Sequence, residues 1–224
     1  MRVALFTETY LPTINGVVTH VKTLKDGLEA LGHTVMVVTA DSRVNNHVIA
    51  DEVMYCPAVK MKKIYNYDIA PPISMERLDK IKSFDPDIIH IHNEFGIGIS
   101  GILIARNLNK PLVYTLHTMY DDYVYYVAKN KAMGKMVTSV THLYAKMLAS
   151  IAAAITGPSA KVSEYFKACG VKKKFTLFRT LSSLTPLCPK RPIRKKPQKS
   201  EKMPALTKMI WYSASADDSA RKRM

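Results

Sequence analysis

Several features that mark common classes of protein are scarce in this sequence of 224 residues. Only three cysteines are present (Cys56, Cys169 and Cys188), and they are scattered without C-x-x-C spacing. We therefore expect neither a zinc site nor a disulfide framework, and a reducing, cytoplasmic compartment is favoured. No apolar run is long enough to cross a bilayer, and the N-terminus is typical of a strand, not of a signal peptide. The loop after this first strand is neither G-x-G-x-x-G nor a P-loop, which gives a generic dinucleotide site little support.

Acidic residues are also few, but the resulting basic charge is confined to one end of the chain. Residues 172–224 contain 15 Lys and Arg against 3 Asp and Glu, so this segment carries +12 of the net charge of +15. The preceding 171 residues carry only +3. Specific binding to nucleic acid, which the basicity of the whole chain would suggest, is therefore not predicted.

The first 39 residues predict a strand, a helix and a second strand that is parallel to the first. Residues 3–6 are a continuous apolar run, and the segment 33–39 contains another from Val35 to Val38, as in strands buried on both faces. Apolar residues recur at helical spacing between them, from Val17 to Leu31, and Gly32 ends the helix. Gly16 lies in the loop before the helix, at the edge where parallel sheets bind ligands. Its backbone can therefore approach a phosphate or a sugar closely.

Polar side chains follow two further predicted strands at the same edge. His92 ends the predicted strand 88–92 and is followed by Asn93 and Glu94, while His117, Tyr120 and Asp121 come after the strand 111–116. Because carboxyl ends of parallel strands share one edge, these residues predict a functional site beside Gly16. Asp85 and Asp87 form a D-x-D pattern at the opposite end of their strand, so we interpret them as a turn and not as a metal site.

The remaining elements are predicted from caps and periodicity. Ser74 begins a helix that runs to about Phe84, residues 57–72 are expected to form a loop, and Ser159 and Gly170 bound a short final helix. The longest helix covers residues 131–154, and its apolar stripe is interpreted as core. The stripe contains Met133, Met136, Val137, Val140, Leu143, Tyr144, Met147, Leu148 and Ile151.

Motifs in the first 171 residues resemble those of a known family. The matching residues are Pro12-x-x-Asn15-Gly16-Val17, then His20-Val21 and Leu24, then Leu28-x-x-x-Gly32-His33-x-Val35. They resemble the opening of the glycosyltransferases of family four, which have the GT-B fold, and further motifs follow in order to about Val171. Residues 117–123 look most like those of the bacterial diacylglycerol glucosyltransferases. The resemblance implies a Rossmann-like α/β domain over residues 1–171, with a parallel sheet and helices on both faces.

The resemblance also implies an activity and the residues that perform it. A hexose would be transferred from a nucleoside-diphosphate sugar, with retention at the anomeric carbon, to diacylglycerol or a related lipid. No metal or other cofactor is implied. His117 would be the catalytic residue beside the transferred sugar. The predicted donor and acceptor contacts are Asn15, Gly16, Val17, His92, Asn93, Glu94, Tyr120 and Asp121.

Residues 172–224 depart from the family, in which a second Rossmann-like domain follows. The segment has no periodicity of either kind and predicts a disordered basic tail. When each codon's third base is regrouped with the next two bases, residues 178–187 can encode Ile-Pro-Asn-Val-Ile-Glu-Leu-Asp-Pro-Phe. Residues 210–222 regrouped in the same way permit a Val-Gly-Arg-Arg-Leu segment. Both resemble the family, so we hypothesise a change of reading frame between about Val171 and Phe178. Without the second domain, the chain is expected to be inactive alone.

Two other interpretations stay open at this point. The chain could be a non-catalytic module that binds a membrane surface through its basic tail. A sugar-nucleotide epimerase or dehydrogenase is disfavoured, because the loop after the first strand lacks G-x-G-x-x-G and Tyr144-Ala145-Lys146 has the wrong spacing for Tyr-x-x-x-Lys. A lipid acceptor would place the enzyme on the inner face of the plasma membrane. The predicted contacts with anionic lipid are Lys60, Lys62, Lys63, Lys129, Lys131 and Lys135.

Overall fold

The computed structural model describes residues 1–61, 67–123 and 130–177. In these ranges the strands are β1 (Arg2–Thr7), β2 (Thr34–Asp41), β3 (Val48–Ala50), β4 (Val53–Pro57), β5 (Val59–Met61), β6 (Tyr67–Ile69), β7 (Ile88–Ile91), β8 (Leu112–Thr115), β9 (Ala154–Gly157) and β10 (Phe175–Leu177). The helices are α1 (Gly16–Ala30), α2 (Met75–Phe84), α3 (Gly96–Asn107), α4 (Lys131–Ile151) and α5 (Ala160–Ala168), with a 3₁₀ turn over Tyr120–Tyr123. The predicted Rossmann-like α/β class is confirmed.

The main sheet has the strand order β10-β9-β8-β7-β1-β2-β4-β3, and each pair in it is parallel except β3 with β4. β1 pairs with both β2 and β7. The chain therefore leaves β1 in one direction, towards β4, and later builds outwards in the other direction, from β7 to β10. Such a reversal opens a crevice at the carboxyl ends of the two central strands, which is where open α/β sheets bind ligands.

The sheet is buried on both faces, as the apolar run at residues 3–6 predicted. Val3 and Leu5 pack on one face beneath α1, whereas Ala4 and Phe6 pack on the other face in the core that includes α3, α4 and α5. All four side chains are almost completely inaccessible to solvent. Burial of an aliphatic or aromatic side chain of this size contributes roughly 1.5–3 kcal/mol, so the central strand anchors both layers.

The predicted helix boundaries are largely confirmed. Asn15 begins α1, and its Oδ1 accepts a hydrogen bond of 2.9 Å from the backbone N–H of Val18. Ser74 begins α2 in the same way, through the N–H of Arg77. Gly32 and Gly170 follow their helices with positive φ values of 81° and 75°, a conformation that favours glycine.

The prediction for residues 57–72 was wrong. Residues 57–72, expected to form a loop, contain β5 and β6, which pair antiparallel as a separate hairpin. In α2 the buried side chains are Arg77 and Ile81, and Leu78 packs partly buried against the core, whereas Met75 is exposed. Arg77 is accommodated because its guanidinium donates to the carbonyl of Pro71 and to the hydroxyl of Ser100. Of the predicted lipid-contacting lysines, Lys62, Lys63 and Lys129 lie outside the described residues.

The apolar stripe of α4 is only partly core, which corrects the earlier interpretation. The helix packs on the sheet through Ala145, Leu148 and Ala149, which are buried. Small residues at this contact bring the helix close to its neighbours and leave the opposite side in solvent. The exposed members of the stripe are Met136, Val140, Leu143, Met147 and Ile151. None of the helices in the described ranges has the length and hydropathy needed to cross a membrane.

Strand β10 lies beyond the boundary that was predicted after residue 171. β10 extends the sheet beside β9 with three paired residues. Lys173 donates from Nζ to the carbonyl oxygens of Ala149 (2.8 Å), Ser150 (3.2 Å) and Ala152 at the end of α4. The folded unit therefore continues to residue 177. Residues 178–224 lie outside the described residues, so the disorder and the change of reading frame stay predictions for that segment.

Candidate active site

The candidate site lies at the carboxyl edge of the sheet, between β1 and β7. Asn93 follows β7, and its Oδ1 accepts hydrogen bonds from the backbone N–H of Glu8 (2.7 Å) and from the hydroxyl of Thr7 (3.1 Å). This side chain therefore joins the ends of the two central strands. The crevice that the topology creates has a fixed width at this point, because a single amide spans it.

Three histidines come together beside this amide. His92 follows β7, His117 follows β8, and His20 projects from the first turns of α1. His92 Nδ1 and His117 Nε2 are 3.2 Å apart, and the ring centroid of His20 lies 4.8 Å from that of His117. His90 lies behind the group, with its ring centroid 4.2 Å from that of His92. We call His20, His92 and His117 the histidine cluster.

Burial keeps the histidine cluster uncharged at neutral pH. Loss of hydration lowers the pKa of His20 to about 4 and that of His117 to about 3. The pKa of His92 lies well below its usual value, first because the ring is buried and then because other imidazoles surround it. A neutral imidazole offers one N–H donor and one acceptor nitrogen. The cluster is therefore suited to the hydroxyl groups of a sugar, which need both.

The same three residues could also bind a metal ion. One nitrogen from each of His20, His92 and His117 lies within 4.8 Å of the others. Three imidazoles are a ligand set that zinc accepts in proteins. The sequence analysis expected no metal at this edge, and that expectation stays a prediction.

The start of α1 forms the second part of the site. Gly16 is exposed, and within the described part of the chain no atom outside its own helix turn and neighbouring residues lies within 4 Å of the position that a Cβ would occupy there. Val17 is partly buried, and Asn15 holds the helix end in place. The first turn of a helix has N–H groups without intrahelical partners, and its dipole favours negative charge. This open helix end can therefore accommodate an anionic group such as a diphosphate.

The other predicted site residues belong to a separate network, which connects the segment after β7 with β8 and with the residues that follow it. Glu94 is buried, and its two carboxylate oxygens accept hydrogen bonds from the hydroxyls of Tyr114 (2.9 Å) and Tyr120 (2.6 Å). Tyr144 donates to the backbone carbonyl of Glu94. Asp121 binds His142 of α4 at 2.8 Å. We call Glu94 with its three tyrosines the tyrosine network. Its carboxylate is already occupied, so direct contact with substrate stays a prediction for Glu94, Tyr120 and Asp121.

The sequence analysis missed Glu8, which follows β1. Glu8 is buried, and its Oε1 accepts a hydrogen bond of 2.6 Å from the backbone N–H of Ile97 at the start of α3. Desolvation raises the pKa of this carboxyl to about 7, although hydrogen bonds from the backbone oppose the shift. The signal that could have revealed it is its position, because a charged residue directly after a buried strand lies at the ligand edge.

The sequence analysis also overlooked a G-x-G-x-x-G pattern, Gly96 to Gly101, which opens α3 after β7. The structure explains these glycines by packing. A Cβ on Gly96 would lie 2.0 Å from Glu8 Oε1, a Cβ on Gly98 would lie 1.8 Å from the carbonyl oxygen of Asn93, and a Cβ on Gly101 would meet Ile91 and Phe6. Because Glu8 already occupies the N-terminus of α3, the motif does not provide a phosphate site. The run Tyr125 to Lys129, which has Tyr-x-x-x-Lys spacing, lies outside the described side chains.

A cavity of about 270 Å³ adjoins the other side of the β1–α1 loop. Its walls include Tyr10, Asn15, Arg43, Tyr55 and Lys60. Asp41, which also lines it, forms two hydrogen bonds with the Arg43 guanidinium, and these lower the pKa of the carboxyl. Apart from Asn15, these residues were not predicted for the site. The aromatic, acidic and basic groups in this cavity match the needs of a polar head group.

Comparison with known proteins assigns this arrangement to a family. The family model described as Glycosyltransferase Family 4 matches residues 14–179, which include the start of α1, the histidine cluster and β10. The chain belongs to this glycosyltransferase family. The match reaches past residue 171, in agreement with the folded strand β10.

Curated relatives of this glycosyltransferase agree with the assignment. It is 39% identical over 129 residues to the alpha-monoglucosyldiacylglycerol synthase of Streptococcus pneumoniae, covering 58% of this chain and 29% of the relative. The synthase of the same name from Acholeplasma laidlawii is also 39% identical, over 58% of this chain and 33% of the relative. A GDP-mannose-dependent alpha-mannosyltransferase of Corynebacterium glutamicum is 30% identical over 53% of this chain and 29% of its own length.

The glycosyltransferase chain thus spans about a third of the length of the curated relatives it matches. Among solved structures, an alpha-glucosyltransferase in complex with UDP and a 13-mer DNA aligns over 80% of this chain and 42% of its own. That alignment has a TM-score of 0.39 and 17% sequence identity. A likeness at this level adds nothing to the assignment.

Proposed function

We propose that this glycosyltransferase domain belongs to an enzyme that transfers a hexose from a nucleoside-diphosphate sugar to diacylglycerol or a related lipid. The transfer proceeds with retention at the anomeric carbon and without a metal. The observation that carries the proposal is the convergence of an open helix end and three neutral imidazoles in the crevice between β1 and β7. The names of the two relatives at 39% identity support the lipid acceptor.

Each part of the crevice has a role in this proposal. Gly16 and Val17 approach the donor diphosphate at the start of α1, where the helix dipole stabilises negative charge. His117, supported by the hydrogen bond to His92, contacts hydroxyl groups of the transferred sugar and orients it. Asn93 maintains the distance between the two central strands. The tyrosine network positions the segment that follows β8, and through it Tyr120 and Asp121.

The acceptor occupies the cavity beside the β1–α1 loop. Its polar head group contacts Tyr10 and Tyr55, and the charged side chains of Arg43 and Lys60 lie at the same wall. Asn15 lines this cavity and also begins α1. In the proposal it therefore lies between the acceptor in the cavity and the donor at the start of α1. Catalysis depends on holding both substrates in one geometry, and the described residues supply one wall of the donor site.

This proposal predicts that the 224-residue chain is inactive alone. Incubation with diacylglycerol vesicles and either UDP-glucose or GDP-mannose should give no transfer above the protein-free blank. An enzyme in which the reading frame is restored after residue 177 should transfer sugar from one of these donors. In that enzyme His117→Ala should lower turnover by roughly 100-fold or more, since a positioned group at the reacting sugar is lost.

His33→Ala is the matched control, because His33 lies at the opposite end of the sheet, before β2. It should leave turnover within about twofold of the restored enzyme, as expected for a surface change remote from the site. Robust transfer by the unmodified chain would contradict the need for a second domain. Equal losses in His117→Ala and His33→Ala would contradict the role of His117.

A further inference from the structure

The exposed side of α4 carries a continuous apolar stripe. Met136, Val140, Leu143, Met147 and Ile151 follow one another at intervals of three or four residues, so they share one side of the helix. Between 41% and 69% of each side chain is accessible to solvent. A surface helix normally has polar residues on the side that faces away from the core. Apolar patches that persist on such a side mark contacts with a partner or a membrane.

The charge of α4 identifies the chemistry of that partner. The 21 residues of the helix contain lysines but neither aspartate nor glutamate. Lys135 and Lys146 are both exposed, and they are eleven residues apart, which is close to three full turns. The two ammonium groups therefore lie on the same flank of the stripe, about a quarter turn from Leu143. An apolar side with lysines along one flank is typical of helices that lie in the surface of an anionic bilayer.

The apolar surface also leads towards the candidate active site. Phe95 is half exposed at the start of α3, and its ring stacks on Tyr144 of α4 with centroids 6.2 Å apart. Tyr144 follows Leu143 directly and donates to Glu94 of the tyrosine network. A lipid surface in contact with the stripe would therefore reach the carboxyl edge of the sheet, where the acceptor is used.

We propose that the exposed side of α4 is the surface on which this protein docks onto an anionic lipid bilayer. The stripe from Met136 to Ile151 inserts among the upper acyl chains, while Lys135 and Lys146 remain at the level of the lipid phosphates. The inference rests on the proposed lipid acceptor, and it assigns the contact to α4 and not to the β5–β6 hairpin with Lys60.

A second protein domain over the active site fits this surface less well. Such a domain faces the carboxyl edge of the sheet, where α4 begins. The stripe extends about 22 Å away from that edge, since Met136 and Ile151 are separated by fifteen steps of 1.5 Å each. Ile151 lies at the amino edge, just before β9. A flat partner that contacts the whole length of the helix accounts for the entire stripe.

The test uses the full chain with a single tryptophan as a depth probe. Trp211, the only native tryptophan, is replaced by Phe, and Leu143→Trp is introduced on that background. Leu31→Trp is the matched control, because Leu31 is 61% exposed beside α1 on the opposite face of the sheet. Both proteins keep the basic tail, so its attraction to anionic vesicles is the same in each.

Vesicles of phosphatidylglycerol with brominated acyl chains should quench the fluorescence at position 143 by about half or more, and that at position 31 only slightly. Val140→Glu together with Leu143→Glu should lower partitioning at 0.5 M salt by roughly tenfold or more, since two apolar side chains no longer insert. Leu31→Glu should leave partitioning unchanged. Circular dichroism checks that each variant is folded, which is expected because the substituted side chains are exposed.

Equal quenching at positions 31 and 143, or none at 143 while the chain is vesicle-bound, would overturn the proposal. The proposal would also be overturned if, without lipid, the parent chain is dimeric and the Leu143→Glu variant is monomeric. The exposed side of α4 would then bind a second copy of the protein. The readout contains no sugar donor. In the enzyme with the restored reading frame, in which transfer can be measured, loss of quenching with intact transfer to diacylglycerol would overturn the docking surface alone. Quenching at 143 combined with transfer only to a soluble acceptor would overturn the lipid acceptor and support the docking surface.

Discussion

The histidine cluster and the tyrosine network lie at the same edge of one sheet, but they satisfy their polar atoms differently. In the tyrosine network, both oxygens of Glu94 accept hydrogen bonds from tyrosine hydroxyls, and its backbone carbonyl accepts a third. In the histidine cluster, His92 and His117 share a single contact of 3.2 Å, and the buried His92 Nε2 has no hydrogen-bond partner among the residues that the structure describes. The polar atoms of Glu94 are satisfied within the tyrosine network, whereas the histidine cluster keeps a nitrogen that can still form a hydrogen bond.

This difference separates scaffold from binding site. A buried polar network with every member satisfied rigidifies the segment around it. A buried nitrogen without a partner costs stability, and such a cost is commonly tolerated at functional positions. We therefore expect substitutions in the tyrosine network to act on stability and substitutions in the histidine cluster to act on function and on the response to acid.

The largest effect on stability is expected for Glu94→Ala. The change leaves the hydroxyls of Tyr114 and Tyr120 buried without an acceptor and opens a cavity, so the free energy of unfolding should fall by about 4 kcal/mol. His117→Ala should lower it by only about 1 kcal/mol, because it removes one contact of a partly satisfied group. Urea unfolding at pH 7 measures both. Similar losses in the two variants would remove the distinction between the two regions.

Glu8→Gln should change how stability depends on pH. The pKa of Glu8 is raised from 4.5 to about 7, so between these values the folded chain retains a proton that the unfolded chain releases. Stability from this group is therefore fully present below pH 4.5 and is lost as the pH rises through 7, a change of about 3 kcal/mol. Glutamine does not titrate and still offers an oxygen to the N–H of Ile97.

Urea unfolding at pH 5 and at pH 8 tests this expectation. Relative to the parent chain, Glu8→Gln should gain stability between the two pH values. A constant difference would show that Glu8 is ionised in the folded chain throughout the range. Subtraction of the parent values cancels the titration of the histidines, which have the opposite sign.

His117→Asn should make the chain less sensitive to acid. The pKa of His117 is lowered from 6.5 to about 3, so the unfolded chain binds a proton below pH 6.5 that the folded chain does not take up. Stability from this group is present above pH 6.5 and is lost as the pH falls, by about 2 kcal/mol at pH 5. The asparagine variant lacks this loss, and unfolding measured at pH 7 and pH 5 should show it. An unchanged acid response would contradict a neutral His117.

Chelation should have the smallest effect. If the site needs no metal, EDTA should leave the thermal midpoint of the purified chain within about 1 °C, since no bound ligand is removed. The contrary result is a lower midpoint that added Zn²⁺ restores in the parent chain but not in His117→Asn. That result would show that the histidine cluster binds a metal ion and would contradict its proposed role as a sugar contact.

The fold could be predicted from the sequence because its signals are local. Continuous apolar runs marked the central strands, and Asn15, Ser74 and Gly32 marked helix ends through their own side chains or conformational freedom. The hairpin of β5 and β6 gave no such signal, because strands of three residues are too short to show periodicity. The core side of α4 was also misjudged, since two apolar sides are present and periodicity alone does not say which one faces the sheet.

The candidate site was predicted in part. Strand order made it possible to group His92, Asn93 and His117, since all follow strands that end at the same edge. His20 was omitted from the predicted site because a histidine on the buried side of a helix looks like core until the facing residues are known. The satisfied state of Glu94 depends on Tyr114 and Tyr144, which come from different elements. Such pairing is a property of the assembled chain.

Gly98 has a consequence for the tolerance of this protein to change. Gly98 is not itself a predicted substrate contact, yet a single added carbon would overlap the carbonyl of Asn93, 1.8 Å away. Helix α3 would have to move outwards, and it would carry the N–H of Ile97 away from Glu8 and shift the amide that joins β1 to β7. In a library of random variants, position 98 should tolerate only glycine, and every replacement should reduce activity as an active-site substitution does. A survey of inactivating mutations would therefore mark α3 as part of the catalytic machinery, although the helix acts there only as a spacer of minimal thickness.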